Sequence, residues 1–560
     1  MQRDRPQKPL QPSCYGRIRV KMSEKSTSFV KQAMILSVCG IVVRIIGVLY
    51  GIPLTNIIGD LGNGYYSSAY NMYSIILLIC SYSVPMAVSK IMAEKSALGE
   101  YRTAHRVFRC SMIYVAAVGG IAAVVTFVFA PGLVDVPEAA LAMRILAPTI
   151  FLSGILSVLR GFFQSRNSMV PTAISQVVEQ VFNAALSVGA AYLLVSAYRS
   201  SGDVNLTASV GAAGGAMGTG AGVLAGVLFL ACMYALKHPA YKKKLEGQKK
   251  SHVMSYSQVF KIIFMMVTPV IISTFIYNIS TVVDMKLFYK ISSMRLADVD
   301  STARLYGIYS RKFSPLANVP IALASAMVSA VVPEISASYA RMELKEVRQK
   351  AGAALRYSML FIIPAMCGLT VLAEPVMDLL YADSNRISVH LLMLGGIYIL
   401  SSGVSTVLNG VLQGIGRVNI PMRNAAAALV LHLMVLAPLL WWTDLGIYAI
   451  LFASSLYAVI ISVLNYLSLR RILGYRQEWK TSVVAPLLAA LVMSLCVWLL
   501  SHGMYSLPRV MAMSQRARGG ITVALCLAAA ALVYFPLALK LGYTEEERKN
   551  IPLISKFFRK

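Results

Sequence analysis

Charge is what this chain has least of. Asp, Glu, Lys and Arg together make up 14% of its 560 residues, against 57% hydrophobic. A water-soluble chain of that length needs far more charge to clothe its surface, so an assembly of soluble domains is excluded. Acid is scarcer still, with 24 Asp and Glu against 52 Lys and Arg and a net charge of +28. The eight cysteines stand singly, mostly inside apolar stretches. They show no C-x-x-C pair and no metal-ligand spacing to His, so neither a disulfide framework nor a metal site is expected. The six histidines form no metal motif. There is also no P-loop, no Gly-x-Ser-x-Gly and no Gly-x-Gly-x-x-Gly after a strand, so ATP hydrolysis, covalent catalysis and a bound cofactor are not expected. The chain reads as no enzyme.

What it has is apolar length. Mean hydropathy is +0.66, and the apolar residues fall in runs of about 20, enough to cross a hydrocarbon core as helices. The expected fold is an all-α polytopic membrane protein. Fourteen spans are predicted near 29–50, 66–89, 110–130, 140–160, 171–197, 210–236, 258–285, 305–332, 357–380, 388–412, 422–442, 445–468, 481–501 and 519–540. Basic residues gather in alternate connections, about 39 on one side and about 10 on the other, which by the positive-inside rule puts both termini in the cytoplasm. Arg509, Arg516 and Arg518 go against that pattern. Because the positive charge lies between apolar runs, it points to lipid headgroups rather than nucleic acid.

The chain repeats itself. LSGILSVLRGFFQSRNSMVP, Leu152 to Pro171, returns from Ser401 to Pro421 as SSGVSTVLNGVLQGIGRVNIP. Ser153 pairs with Ser402, Gly154 with Gly403, Gly161 with Gly410 and Gln164 with Gln413, at an offset of about 249 residues. Arg109-Cys-Ser-Met112 and Arg356-Tyr-Ser-Met359 repeat at an offset of about 247. Two parallel six-helix bundles follow, with the transport path between them and alternating access by rocking of one against the other. The expected organisation is a basic, disordered cytoplasmic tail (1–28), an N-lobe (29–237), a basic linker (238–257), a C-lobe (258–470), two added lipid-facing helices (471–540) and a cytoplasmic tail (541–560). Met22 is an alternative start, and no cleaved signal peptide is expected.

Few side chains stand out as chemistry. Arg44 sits mid-span among apolar neighbours, where an arginine is costly unless it meets water, a ligand or an acid. Two readings stay open: a fork for phosphate or diphosphate, or a buried pair with an acid such as Glu179. Arg311 and Lys312 lie early in the 305–332 span, either snorkelling to the interface or lining the path. Asp284 and Glu179 are intramembrane acids suited to ion or proton coupling or to charge pairing. Asn183 falls one turn from Glu179. Gly214, Gly218, Gly222 and Gly226, four residues apart, read as a helix-packing face.

The run from Arg44 to Glu94 resembles the polysaccharide-transporter branch of the MOP (multidrug/oligosaccharidyl-lipid/polysaccharide) exporters. The likeness is nearest to the group of stage V sporulation protein B and Gram-positive MurJ-type lipid II flippases. It rests on Arg44-x-x-Gly47, Ile52-Pro53-Leu54, Gly59-Asp60, Pro85-x-Ala87-x-Ser89-Lys90 and the Gln-Gly-x-Gly segment at Gln413–Gly416, and it covers nearly the whole chain. The resemblance implies a V-shaped, two-lobed transporter with a cationic central cavity. Such a transporter moves an undecaprenyl-diphosphate-linked saccharide outward, most simply lipid II, for cell-wall or spore-cortex synthesis in a Gram-positive cytoplasmic membrane. The family's first-helix arginine matches Arg44, and its helix 8 basic position matches Arg311 or Lys312. The stretch from Tyr70 to Pro85 lacks the basic residue found near helix 2 in Gram-negative relatives. A sodium site would draw on Asp284, but the 422–442 span supplies Asn424 and no acid; Na+, H+ or membrane potential all stay open as driving force. A monomer is expected, with cell-wall or sporulation enzymes as possible partners. The alternatives are a cation-coupled multidrug exporter of the same superfamily and a membrane scaffold for cell-wall enzymes.

Overall fold

The computed structural model describes residues 12–82, 84–166, 168–247, 253–296, 298–383 and 385–542, with side chains described from Cys39 onward apart from scattered positions. The expected tail 541–560 lies almost wholly outside these residues. No strand occurs among them. The main helices are α1 (Pro12–Leu77), α2 (Val84–Ala97), α3 (Tyr101–Val128), α4 (Ala140–Gln164), α5 (Met169–Tyr198), α6 (Val204–Glu246) and α7 (Tyr256–Leu296). They continue as α8 (Val299–Ile308), α9 (Ser314–Ala340), α10 (Leu344–Val371), α11 (Ala373–Tyr381), α12 (Arg386–Leu394), α13 (Gly396–Gly414), α14 (Asn419–Trp442), α15 (Ile447–Leu473), α16 (Ala485–Ser506) and α17 (Gln515–Gly542).

Among the described residues, eleven helices are long and apolar enough to span a bilayer, or twelve if the α12–α13 pair, bent by 44°, counts as one. The fourteen expected spans do not map one to one onto separate helices. The first two predicted spans run together through α1 and α2 with a kink at Gly59, whose φ of 72° suits only glycine. The predicted span 258–285 lies inside α7, a single helix of 41 residues. Residues 12–28, expected to be a disordered tail, are helical and continuous with α1. After Pro12, which is tolerated at a helix start, that stretch holds no further proline to stop the helix.

The repeat has a packing meaning. A Cβ on Gly154 of α4 would lie 3.1 Å from Val115 of α3, and one on Gly403 of α13 would lie 2.5 Å from Ile362 of α10. Likewise Gly161 abuts Val88 of α2 at 2.9 Å, and Gly410 abuts Val328 of α9 at 2.0 Å. Equivalent glycines admit equivalent helices in the two lobes. In the N-lobe α6 also lies against α5: Cβ atoms on Gly218 and Gly222 would meet the α5 backbone at 2.3 and 2.4 Å, the close approach expected of small residues.

The linker-side part of α7 belongs to the first lobe's core. Val259, Ile263 and Val267 are buried with Val88, Phe108 and Phe162. Its far part faces α14 in the second lobe. The final pair, α16 and α17, packs on α10 and α11. There Arg518 of α17 binds the fully buried Asp378 of α11 at 2.6 Å, and Tyr505 donates to the same carboxylate at 2.9 Å. One of the arginines that went against the charge rule is thus neutralised by an acid.

Candidate functional site

The lobes meet tightly at the end of α7 remote from the linker. There α1, beyond its Gly59 kink, runs against α8, and two glycines let the backbones touch. A Cβ on Gly64 would fall 2.1 Å from the Ala303 carbonyl, and one on Gly307 would fall 2.2 Å from the Asp60 carbonyl. Hydrogen bonds cross the same seam. Tyr65 Oη donates to Asp300 at 2.7 Å, Asn71 donates to Tyr306 at 2.9 Å, and the Ser67 and Ser310 hydroxyls meet at 2.7 Å.

Lys312 locks this seam. Residues 309–313 form a π-helical turn between α8 and α9, a local overwidening often found at functional positions. From it Lys312 Nζ, 6% exposed as a residue, lies 2.6 Å from Asp60 of α1 and 2.6 Å from Asp383, just after α11. Burial pushes the Asp383 carboxyl up, but hydrogen bonds from Lys312, the Asn385 amide and Ser388 outweigh it and hold the group below the usual carboxylate range. A second bridge crosses the lobes nearby: Lys286 of α7 reaches Asp135 at 3.2 Å and the Leu133 carbonyl at 3.1 Å. Burial dominates at Asp135 and raises its carboxyl above the ordinary value.

Arg311 takes a different course. Its guanidinium lies 4.8 Å over the ring of Tyr66, which stacks on Tyr70, and its Nε is buried without a hydrogen-bond partner. Arg44 stands on the face of α1 that carries Gly47 and Gly51 three and seven residues on. It is exposed, and among the described residues no carboxylate pairs with it. Glu179 is engaged elsewhere: Arg160 of α4 holds it at 2.6 Å while donating to Ser175 at 3.2 Å. The pairing of Arg44 with Glu179 is therefore replaced by one with Arg160, because α4 lies beside α5 at that depth. Asn183 turns away from Glu179 and donates to Tyr50 at 3.2 Å.

Asp284 is buried in the second lobe against His432 of α14, Nε2 to Oδ1 at 2.6 Å. The other ring nitrogen, Nδ1, lies 2.9 Å from the Ala453 carbonyl. Both ring nitrogens thus face acceptors, so the pair must carry a proton beyond a neutral imidazole and an ionised carboxylate. Asp284 borders a cavity of about 240 Å³ lined by hydroxyl and amide groups, among them Thr281, Tyr309, Asn318, Ser402 and Ser454. Asn424 lies apart from it, bonded to Asn465 and Ser468. No group of three potential metal-ligating side chains occurs among the described residues.

Arg160, Asp383 and His432 were not singled out in the sequence, and Asp60 only as part of the Gly59-Asp60 pair. Arg160 carried a signal, since it is the basic residue where the second copy of the repeat has Asn409. Asp383 and His432 carried none, because their partners are distant in the chain.

The family described as polysaccharide biosynthesis protein matches residues 29–339, and that described as MatE matches residues 269–439. Lipid II flippase MurJ of Bacillus subtilis (strain 168) is 22% identical over 548 residues, covering 93% of this chain and 97% of its own. Stage V sporulation protein B of the same organism is 24% identical over 541 residues, covering 94% and 98%. Among solved structures, the lipid II flippase MurJ in an inward closed conformation superposes with a TM-score of 0.65 at 14% identity, over 90% of this chain and 98% of that one. An inward-facing multidrug resistance MATE family transporter of the MOP superfamily gives 0.61 at 15% identity, over 77% and 94%.

Proposed function

The chain belongs to the polysaccharide biosynthesis protein family, a family of multi-pass membrane transporters within the MOP superfamily, and on that premise we propose that it flips a polyprenyl-diphosphate-linked saccharide across the cytoplasmic membrane. Lipid II is the substrate proposed, in line with the flippase relative it resembles over nearly its full length. Membership makes the chain a transporter and not an enzyme. In this reading both termini and the basic linker face the cytoplasm, and the Lys312 seam closes the outer face. The headgroup enters from the linker side and its diphosphate meets Arg44 and Arg311.

One observation carries the proposal: Arg44 is an exposed guanidinium within an apolar span, and among the described residues no acid neutralises it. A group so placed is stabilised by an anionic ligand, and its planar fork suits a diphosphate. An exporter of cationic drugs gains nothing from it. Asp284 and His432 fit a proton as the coupling ion better than sodium, since the imidazole holds Oδ1 and no second acid is among the described residues that line the cavity.

The test is reconstitution into vesicles with lipid II, scoring its appearance in the opposite leaflet. Arg44→Ala is expected to abolish flipping while insertion stays normal, and Arg44→Lys to recover part of it, keeping charge but losing the fork. Wild-type flipping by Arg44→Ala would overturn the assignment. Glu179 and Arg160, which neutralise each other, are assigned to holding α4 on α5 rather than to substrate.

A further inference from the structure

Away from the seam, a second feature joins the lobes. A groove of about 410 Å³ runs between α1 and α7, with Met72 and Ile75 on one wall and Ile279 and Val283 on the other. Its lining is apolar except at one end, where Lys286 and Lys290 stand one turn apart on α7, and no acid is among the described residues that line it. Lys286 spends two of its three donors on Asp135 and the Leu133 carbonyl. Lys290 is exposed, and among the described residues no acid pairs with it. Between neighbouring helices of a membrane protein, an apolar channel ending in two ammonium groups complements a molecule with a hydrocarbon chain and an anionic head.

We propose that this groove binds one acyl chain of an anionic glycerophospholipid, with the lipid phosphate held by Lys290 and the remaining proton of Lys286. Charge complementarity selects the occupant: a neutral or zwitterionic lipid fills the channel equally well but leaves Lys290 without a net negative partner. Because one wall belongs to each lobe, the bound chain braces the arrangement in which the Lys312 seam is closed. The site is separate from Arg44 and does not depend on which saccharide is carried.

Native mass spectrometry of the full chain tests this, after delipidation and incubation with equal amounts of phosphatidylglycerol and phosphatidylcholine. The expected result is retention of phosphatidylglycerol over phosphatidylcholine by about fivefold, the effect of one well-placed lysine. Lys290→Glu, a surface change, should erase that preference, and Lys290→Arg should keep it. Ile279→Trp, which fills the channel, should lower retention of both lipids. Equal retention of the two lipids by the wild type, or an undiminished preference in Lys290→Glu, overturns the proposal; wild-type retention by Ile279→Trp overturns the placement in the groove. The readout involves no transport, so its failure leaves the flippase reading standing, and a loss of flipping in Arg44→Ala leaves this site untouched.

Discussion

Lys312 carries one positive charge and faces two carboxylates at 2.6 Å, one from each side of the seam between the lobes. Removing one partner of a buried ionic cluster costs about 3–5 kcal/mol, because the remaining charges lose compensation in a poorly solvated place. Here the remainder is two acids facing each other. Lys312→Met is therefore expected to open the seam. A cysteine at Ser67, in an otherwise cysteine-free variant, should react with a membrane-impermeant maleimide at least tenfold faster in Lys312→Met; an unchanged rate would show that the helix contacts alone hold the seam. The contrast between Lys312 and Arg44 also marks how far single residues were legible. A charge inside an apolar run announces itself, so Arg44, Asp284 and Glu179 were all visible as exceptional. What each touches was not visible. Asp383 looks like an ordinary loop acid, and Asp60 like half of a Gly-Asp pair, until folding brings both to a lysine 252 residues after the one and 71 before the other. His432 looked like a lone histidine for the same reason.

At the scale of the element, helix packing was more legible than helix number. The four-residue glycine spacing of α6 and the paired glycines of the repeat do in the fold what their spacing foretold, because a missing side chain constrains a neighbour whatever its identity. Helix boundaries did not follow, since α1 runs through two predicted spans across a glycine kink and α7, at 41 residues and about 61 Å, outruns the length that hydropathy assigns. Gly307→Ala is expected to separate α8 from α1, as its Cβ would stand 2.2 Å from a rigid carbonyl. The same cysteine reporter at Ser67 should show it, with the overall unfolding temperature in detergent nearly unchanged. The two bridges across the seam should also part at different pH. Asp135 is raised above the ordinary carboxylate value, so on acidification it takes its proton first and the Lys286 bridge fails first. Asp383 is depressed, so its contribution is complete at neutral pH and is lost only as pH falls through its lowered value. Maleimide reactivity of a cysteine at Leu133 should therefore rise at a higher pH than that of one at Ser67; a single shared midpoint would contradict the assignment.

At the scale of the whole molecule, the duplication was legible because it lies in the sequence twice, and the two-lobed architecture follows from it. The boundary between lobes was not. Composition puts it in the basic stretch 238–257, yet α7, which begins at the end of that stretch, hands its first turns to the first lobe's core through Val259, Ile263 and Val267. A chain divided between residues 250 and 251 gives a first fragment with an uncovered apolar face and a second fragment carrying the cover. Co-expressed, the two are expected to copurify and to flip substrate; expressed alone, each should be degraded. Accumulation of either fragment by itself would show that the lobes are independent modules.

That straddling helix has a mechanical consequence. A rod seated in one body at its lower end and in another at its upper end, where Asp284 and Lys286 stand, converts any tilt between the bodies into bending or axial rotation of the rod itself. The charged groups on its upper turns then act as the dial of a torsion gauge: where they point reports, and in turn biases, how far the two bodies have swung.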